Sequence, residues 1–142
     1  MEVSHVRKRV QRAIAAARER TQQRRQRVAE AEEEYAAFLQ NVAIPVTRQV
    51  ANALKAEGYA FTVFTPGDGL RLAADRGRDD FVEFALDADV DPPQVIGRSS
   101  HTRGSRTIDQ ERPIKSGATP ESLTEDDVLE FLLTALEPWL SR

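Results

Sequence analysis

The sequence has no cysteine, two histidines, and an aromatic share of only 6%. The first absence excludes disulfides, thiolate nucleophiles and cysteine-based zinc sites. His5 and His101 are too few nitrogen donors for a transition-metal centre, so no metal and no cofactor is expected. Scarce aromatics predict a modest core. No run approaches the roughly 20 apolar residues that cross a bilayer, and Met1 to His5 leads into arginines where a signal peptide would be apolar. The expected setting is therefore the cytoplasm, with no membrane contact.

Catalytic patterns are equally thin. Ser99, His101 and Asp109 supply the residue types of a hydrolase triad, but no Gly-x-Ser-x-Gly elbow accompanies them, and the sequence leans against an enzyme. Asp87, Asp89 and Asp91 have the alternation that opens a calcium loop. Pro92 and Arg98 then stand where that loop needs Gly and Glu, so a plain acidic turn is expected. Pro66-Gly67-Asp68-Gly69 lacks the Gly-Lys-Ser/Thr of a phosphate loop and reads as a turn.

What the sequence does hold is a stretch without glycine or proline from Val3 to about Ile44, made largely of Ala, Arg, Glu and Gln. These are strong helix formers, and the spacing predicts one helix of about 42 residues, roughly 63 Å long. In heptads, one seam runs Val3, Val10, Ala17, Arg24, Ala31, Phe38 and the other Arg7, Ile14, Thr21, Val28, Tyr35, Val42. This is the coiled-coil repeat, weakest between Thr21 and Arg27. A helix longer than a small body can cover must be solvated or buried by another chain.

Charge is divided in the same way. Residues 1–27 hold nine Arg/Lys against Glu2 and Glu19, a balance of +7, which leaves −10 for the rest of a chain whose net charge is −3. A basic arm on an acidic body suits either a polyanion or the acidic surface of another copy. The Glu30 to Glu34 patch favours an antiparallel partner over a parallel one.

Beyond the arm, Ile44-Pro45 predicts a break, then a second helix over Val46 to Glu57 stopped by Gly58, giving a bent helix or a helical hairpin. Alternation predicts strands at Tyr59 to Thr65, Leu70 to Asp75 and Asp80 to Asp87, with turns at Pro66 to Gly69 and Arg76 to Asp79. Gln94 to Gly97 and Thr107 to Pro113 continue the pattern around a polar stretch, Arg98 to Arg106. Thr124 and Asp127 form a capping-box pattern ahead of an apolar helix that holds Val128, Leu129, Phe131, Leu132, Leu133, Leu136, Trp139 and Leu140.

The expected fold is α+β: a long N-terminal helix plus a shorter helix, an antiparallel meander of four or five strands, and a C-terminal helix packed on the sheet. Residues 1–44 form a coiled-coil-like arm and residues 45–142 a compact domain. The function these features predict is that of a non-enzymatic adaptor or assembly subunit that oligomerises or meets a protein partner. Its pairing residues would be Val3, Val10, Ile14, Val28, Tyr35 and Phe38. The alternative is nucleic-acid binding through Arg9, Arg12, Arg24, Arg25 and Arg27 of the arm, joined by Arg98, His101, Arg103 and Arg106. A second alternative is a site for a small anion at the Arg98 to Arg106 stretch.

Overall fold

The computed structural model describes residues 1–76 and 79–141. Its first element, α1 (Val3–Phe38), runs into a π turn over Leu39–Ala43 and on into α2 (Ile44–Ala56). The break expected at Ile44-Pro45 is not a break in the helical backbone, since Ala43 and Ile44 both keep right-handed helical angles. There is accordingly no helical hairpin at this point. A π turn carries its hydrogen bonds from residue i to i−5, as Ile44 N to Leu39 O does here. The widened turn puts Pro45 in the first turn of α2, where its missing N–H costs little.

The described residues then form five strands, β1 (Phe61–Phe64), β2 (Leu70–Ala74), β3 (Phe81–Asp87), β4 (Gln94–Arg103) and β5 (Arg106–Pro113). They pair in chain order, each antiparallel to the next, as a simple meander. The polar stretch Arg98 to Arg106 is strand over most of its length, a correction to the sequence reading. Ser99 and His101 point under the helices, while Arg98 and Thr102 are exposed on the other face, where Ile96 and Ser100 are nonetheless buried. The turn expected at Arg76 to Asp79 lies partly outside the described residues.

One face of the sheet is covered. Register aligns Leu70, Phe84 and Gly97 in one row and Val63, Leu72, Val82 and Ser99 in the next. Leu70, Leu72, Val82 and Phe84 are buried and join a single cluster with α2 and α3 (Glu125–Leu140). From α3 the buried residues are Val128, Phe131, Leu132, Leu136 and Trp139, whereas Leu129, Leu133 and Leu140 are exposed. The helix begins with a full capping box: the Thr124 hydroxyl accepts from Asp127 N at 3.2 Å and the Asp127 carboxylate accepts from Thr124 N at 2.9 Å. That backbone bond holds the Asp127 carboxyl below its ordinary pKa.

The packed cluster does not start at Pro45. Tyr35, Phe38, Leu39, Ala43 and Ile44 are all members, so the last two turns of α1 and the π turn belong to the body. Burial pushes the Tyr35 hydroxyl well above its usual pKa, with the Glu83 carboxylate adding to the shift.

Helix and sheet approach closely at Gly97. A Cβ there would stand 1.9 Å from Cζ of Phe131 and 2.5 Å from both of its Cε atoms. The ring thus occupies the space a side chain would need, and the Arg112 guanidinium closes over it 4.8 Å from the centroid. Gly97→Ala is expected to cost about 1–3 kcal/mol through overpacking, read as a lower urea midpoint with little change in slope.

Candidate interaction surface

The arm leaves the body at Arg24. Its guanidinium donates to Ala88 O at 2.9 Å, and one turn on Arg27 makes a two-point ion pair with Asp91 at 2.8 and 3.1 Å. Before Arg24 every residue of α1 is exposed; after it Val28 is half-buried and Ala31, Tyr35 and Phe38 are buried. At 1.5 Å per residue the exposed run from Val3 to Gln23 is roughly 30 Å of helix.

The six predicted pairing residues therefore divide. Val3, Val10 and Ile14 lie on the free arm, 83%, 50% and 45% exposed, and Val6 joins them at 43%. Val28 sits at the junction. Tyr35 and Phe38 are taken up by the chain's own core, where they meet with ring centroids 6.3 Å apart, and they are not available to another chain. The heptad seam is a single line on the helix, of which the second half is satisfied internally and the first is not. Val6, absent from the sequence reading, was legible as the residue one turn after Val3.

The predicted basic set is split further. Arg9, Arg12 and Arg25 are exposed on the arm, while Arg24 and Arg27 are used to anchor it to the acidic β3–β4 connection. Arg98 is on the uncovered sheet face and pairs with Glu111 at 2.9 Å. Arg103 and Arg106 are cross-strand partners at the β4–β5 turn. That turn is at the far end of β4 from Gln94, about 30 Å of strand away from the end that follows the acidic connection. Arg24 and Arg27 thus meet the body at one end of β4, and Arg103 and Arg106 turn at the other.

His101 is not a surface residue but 7% exposed, its ring edge-on to Trp139 with centroids 5.6 Å apart. The neighbouring hub went unnoticed in the sequence: buried Asp80 accepts from Trp139 Nε1 at 2.9 Å and from Thr102 N at 2.8 Å. An acid just ahead of a strand and a lone tryptophan were the available signals, but nothing in their spacing joins them. Ser99 and His101 share the covered face and Asp109 pairs opposite Ser100 on the other, so the three do not assemble into a triad. An open groove of about 550 Å³ borders His101, Arg103, Gln110, Thr134, Glu137 and Ser141. Glu137 and the C-terminal end of α3 oppose an anion there.

Asp87 accepts from Asp89 N at 3.0 Å, an ordinary turn contact, and Asp91 is engaged by Arg27, so this acidic segment works as the arm's socket. Among the described residues, no cluster of three or more His, Asp or Glu is placed to hold a metal, and no helix is long and apolar enough to cross a membrane. Neither a family model, nor a curated protein, nor a solved structure matches the chain.

Two outcomes test this description. Asp80→Ala leaves the Trp139 N–H buried without its acceptor and is expected to cost about 1–3 kcal/mol, measured by urea unfolding followed through the fluorescence of the one tryptophan. At the junction, partial burial and a hydrogen bond to Glu121 raise the pKa of Glu34, with the charges of Glu121 and Glu30 adding. A carboxyl whose pKa rises on folding stabilises the protonated native state, and that contribution is lost as pH rises through the raised value. Glu34→Gln should therefore be more stable than the parent at neutral pH, with the difference closing as pH falls through the carboxylate range. Thermal melts across that range would show it.

Proposed function

We propose that the chain is a non-enzymatic assembly subunit that associates with other protein through the free half of its N-terminal helix. The observation that carries this reading is the exposed line Val3, Val6, Val10 and Ile14 on a helix whose next turns bury the same line in the body. Four branched apolar residues at helical spacing are a common recognition mode for a helix or groove, and each is worth about 1.5–3 kcal/mol when fully buried. In isolation a solvated helix of this length is marginal, so a partner would also stabilise it.

The acidic socket favours protein over nucleic acid. Arg27 is already neutralised by Asp91 and Arg24 is held on the Ala88 carbonyl, and the hairpin arginines lie at the other end of β4, which leaves a narrower basic surface than a polyanion would track. The body contributes rigidity and position: its contacts with Arg24, Arg27, Ala31 and Tyr35 fix the direction in which the arm projects.

The test keeps the full chain. Val6→Ser, Val10→Ser and Ile14→Ser together touch only exposed positions and should leave the melting temperature of the body within about 2 °C, a shift worth a few tenths of a kcal/mol. Light scattering of the parent is expected to give a mass above that of one chain, and of the triple variant the mass of one chain. An oligomer that survives the three serines would place assembly elsewhere and end this reading.

A further inference from the structure

The exposed apolar residues of α1 follow a definite register. Val6, Val10, Ala13 and Ala17 stand eighteen residues before Arg24, Val28, Ala31 and Tyr35, which is five turns of about 3.6 residues. They occupy the same side of the helix as the residues that meet the body. Between Val3 and Arg24 this side reads Val3, Val6, Val10, Ala13, Ile14, Ala17, Thr21, Arg24. Reversed about the midpoint of Ala13 and Ile14, the same set of positions returns. Val3 falls opposite Arg24, Val6 opposite Thr21, Val10 opposite Ala17, and Ile14 opposite Ala13.

We infer that the occupant of this stripe is the arm of a second copy, running antiparallel about a two-fold axis between Ala13 and Ile14. The inference rests on the assembly reading above and names its partner. A two-fold interface must be self-complementary, residue i against j and j against i, and this stripe meets that condition. The two bulkiest central residues, Val10 and Ile14, each face an alanine, which lets two helices interdigitate. Thr21 can enter such an interface at low cost because its hydroxyl already donates to Ala17 O at 3.0 Å.

The free length agrees. An antiparallel overlap from Val3 to Arg24 spans roughly 33 Å and ends where Arg24 reaches the body at Ala88, so the second arm lies beside the first and stops at the body's edge. No charged residue interrupts the stripe from Val3 to Thr21, and the basic residues flank it. In this register Arg7 comes within roughly 10 Å along the axis of the level of Arg27 and Asp91. At about one Debye length, the carboxylate of Asp89 at that edge attracts the basic tip, while Asp91 is already balanced by Arg27. A parallel pair would hold both tips away from the acidic edge.

The absence of native cysteine makes a disulfide test clean. In the full chain, V10C/A17C is expected to form an interchain link under mild oxidation and run as a dimer on a non-reducing gel. V10C alone should not link, because its sulfur and its copy's are separated by roughly seven residues, about 10 Å, along the axis. Linking by V10C alone would mean a parallel pair, which overturns the register while leaving arm-mediated assembly intact. A parent chain that is monomeric by light scattering at every concentration overturns the second copy as occupant. A dimer that persists in the triple serine variant overturns the assembly reading itself, and this inference with it.

Discussion

Everything else in this molecule is arranged around one helical rod that runs from Val3 to Ala56. Its length, roughly 80 Å at 1.5 Å per residue, exceeds what five short strands and one further helix can cover. Only the part from Arg24 onward meets the body. The π turn at Leu39–Ala43 is what allows the rod to pass Pro45 without ending, and Leu39 and Ala43 within it are themselves buried.

The body is a meander with one covered face, and its packing depends on close approach at few points. Phe131 rests on Gly97, Trp139 is tied to Asp80, and the strands beside them supply Leu70, Leu72, Val82 and Phe84 to the covered face. The uncovered face is held by cross-strand charge: Arg71 lies over the Phe81 ring at 4.0 Å and pairs with Glu83 at 2.8 Å, and Arg98 pairs with Glu111. Such exposed pairs add little stability, but they keep the face polar and discourage association by the sheet.

Two parts of the sequence looked alike in composition and turned out to do different things. The arginines of the arm and those of the β4–β5 hairpin would make one cationic surface if the hairpin folded toward the helix. Strand β4 carries the second group to the opposite end of the sheet, and alternation sends Arg98 to one face and His101 to the other. The acidic segment from Asp87 to Asp91 had the spacing of a cation loop. In the folded chain it receives Arg24 and Arg27, and so sets where the arm emerges.

The long helix, the alternating strands, the capping box and the turn at Pro66 were legible by themselves, because each rests on neighbours in sequence: a 3.6-residue or two-residue period, a side chain reaching three positions on, a glycine in a turn. The free arm was legible in part, since its length exceeded any body 142 residues could build. The persistence of helix through Pro45 was not, as it depends on a widened turn that the packed Leu39 and Ala43 help to hold. Nor could periodicity say which half of the seam would be buried. A heptad pattern identifies a side of a helix, whereas the turn at which that side first meets a body is decided by contacts sixty residues away, at Ala88 and Asp91. What the sequence determined by itself is the set of elements and the line of apolar residues along the first. What only the tertiary structure decided is that Tyr35 and Phe38 belong to the core and Val3, Val6, Val10 and Ile14 do not.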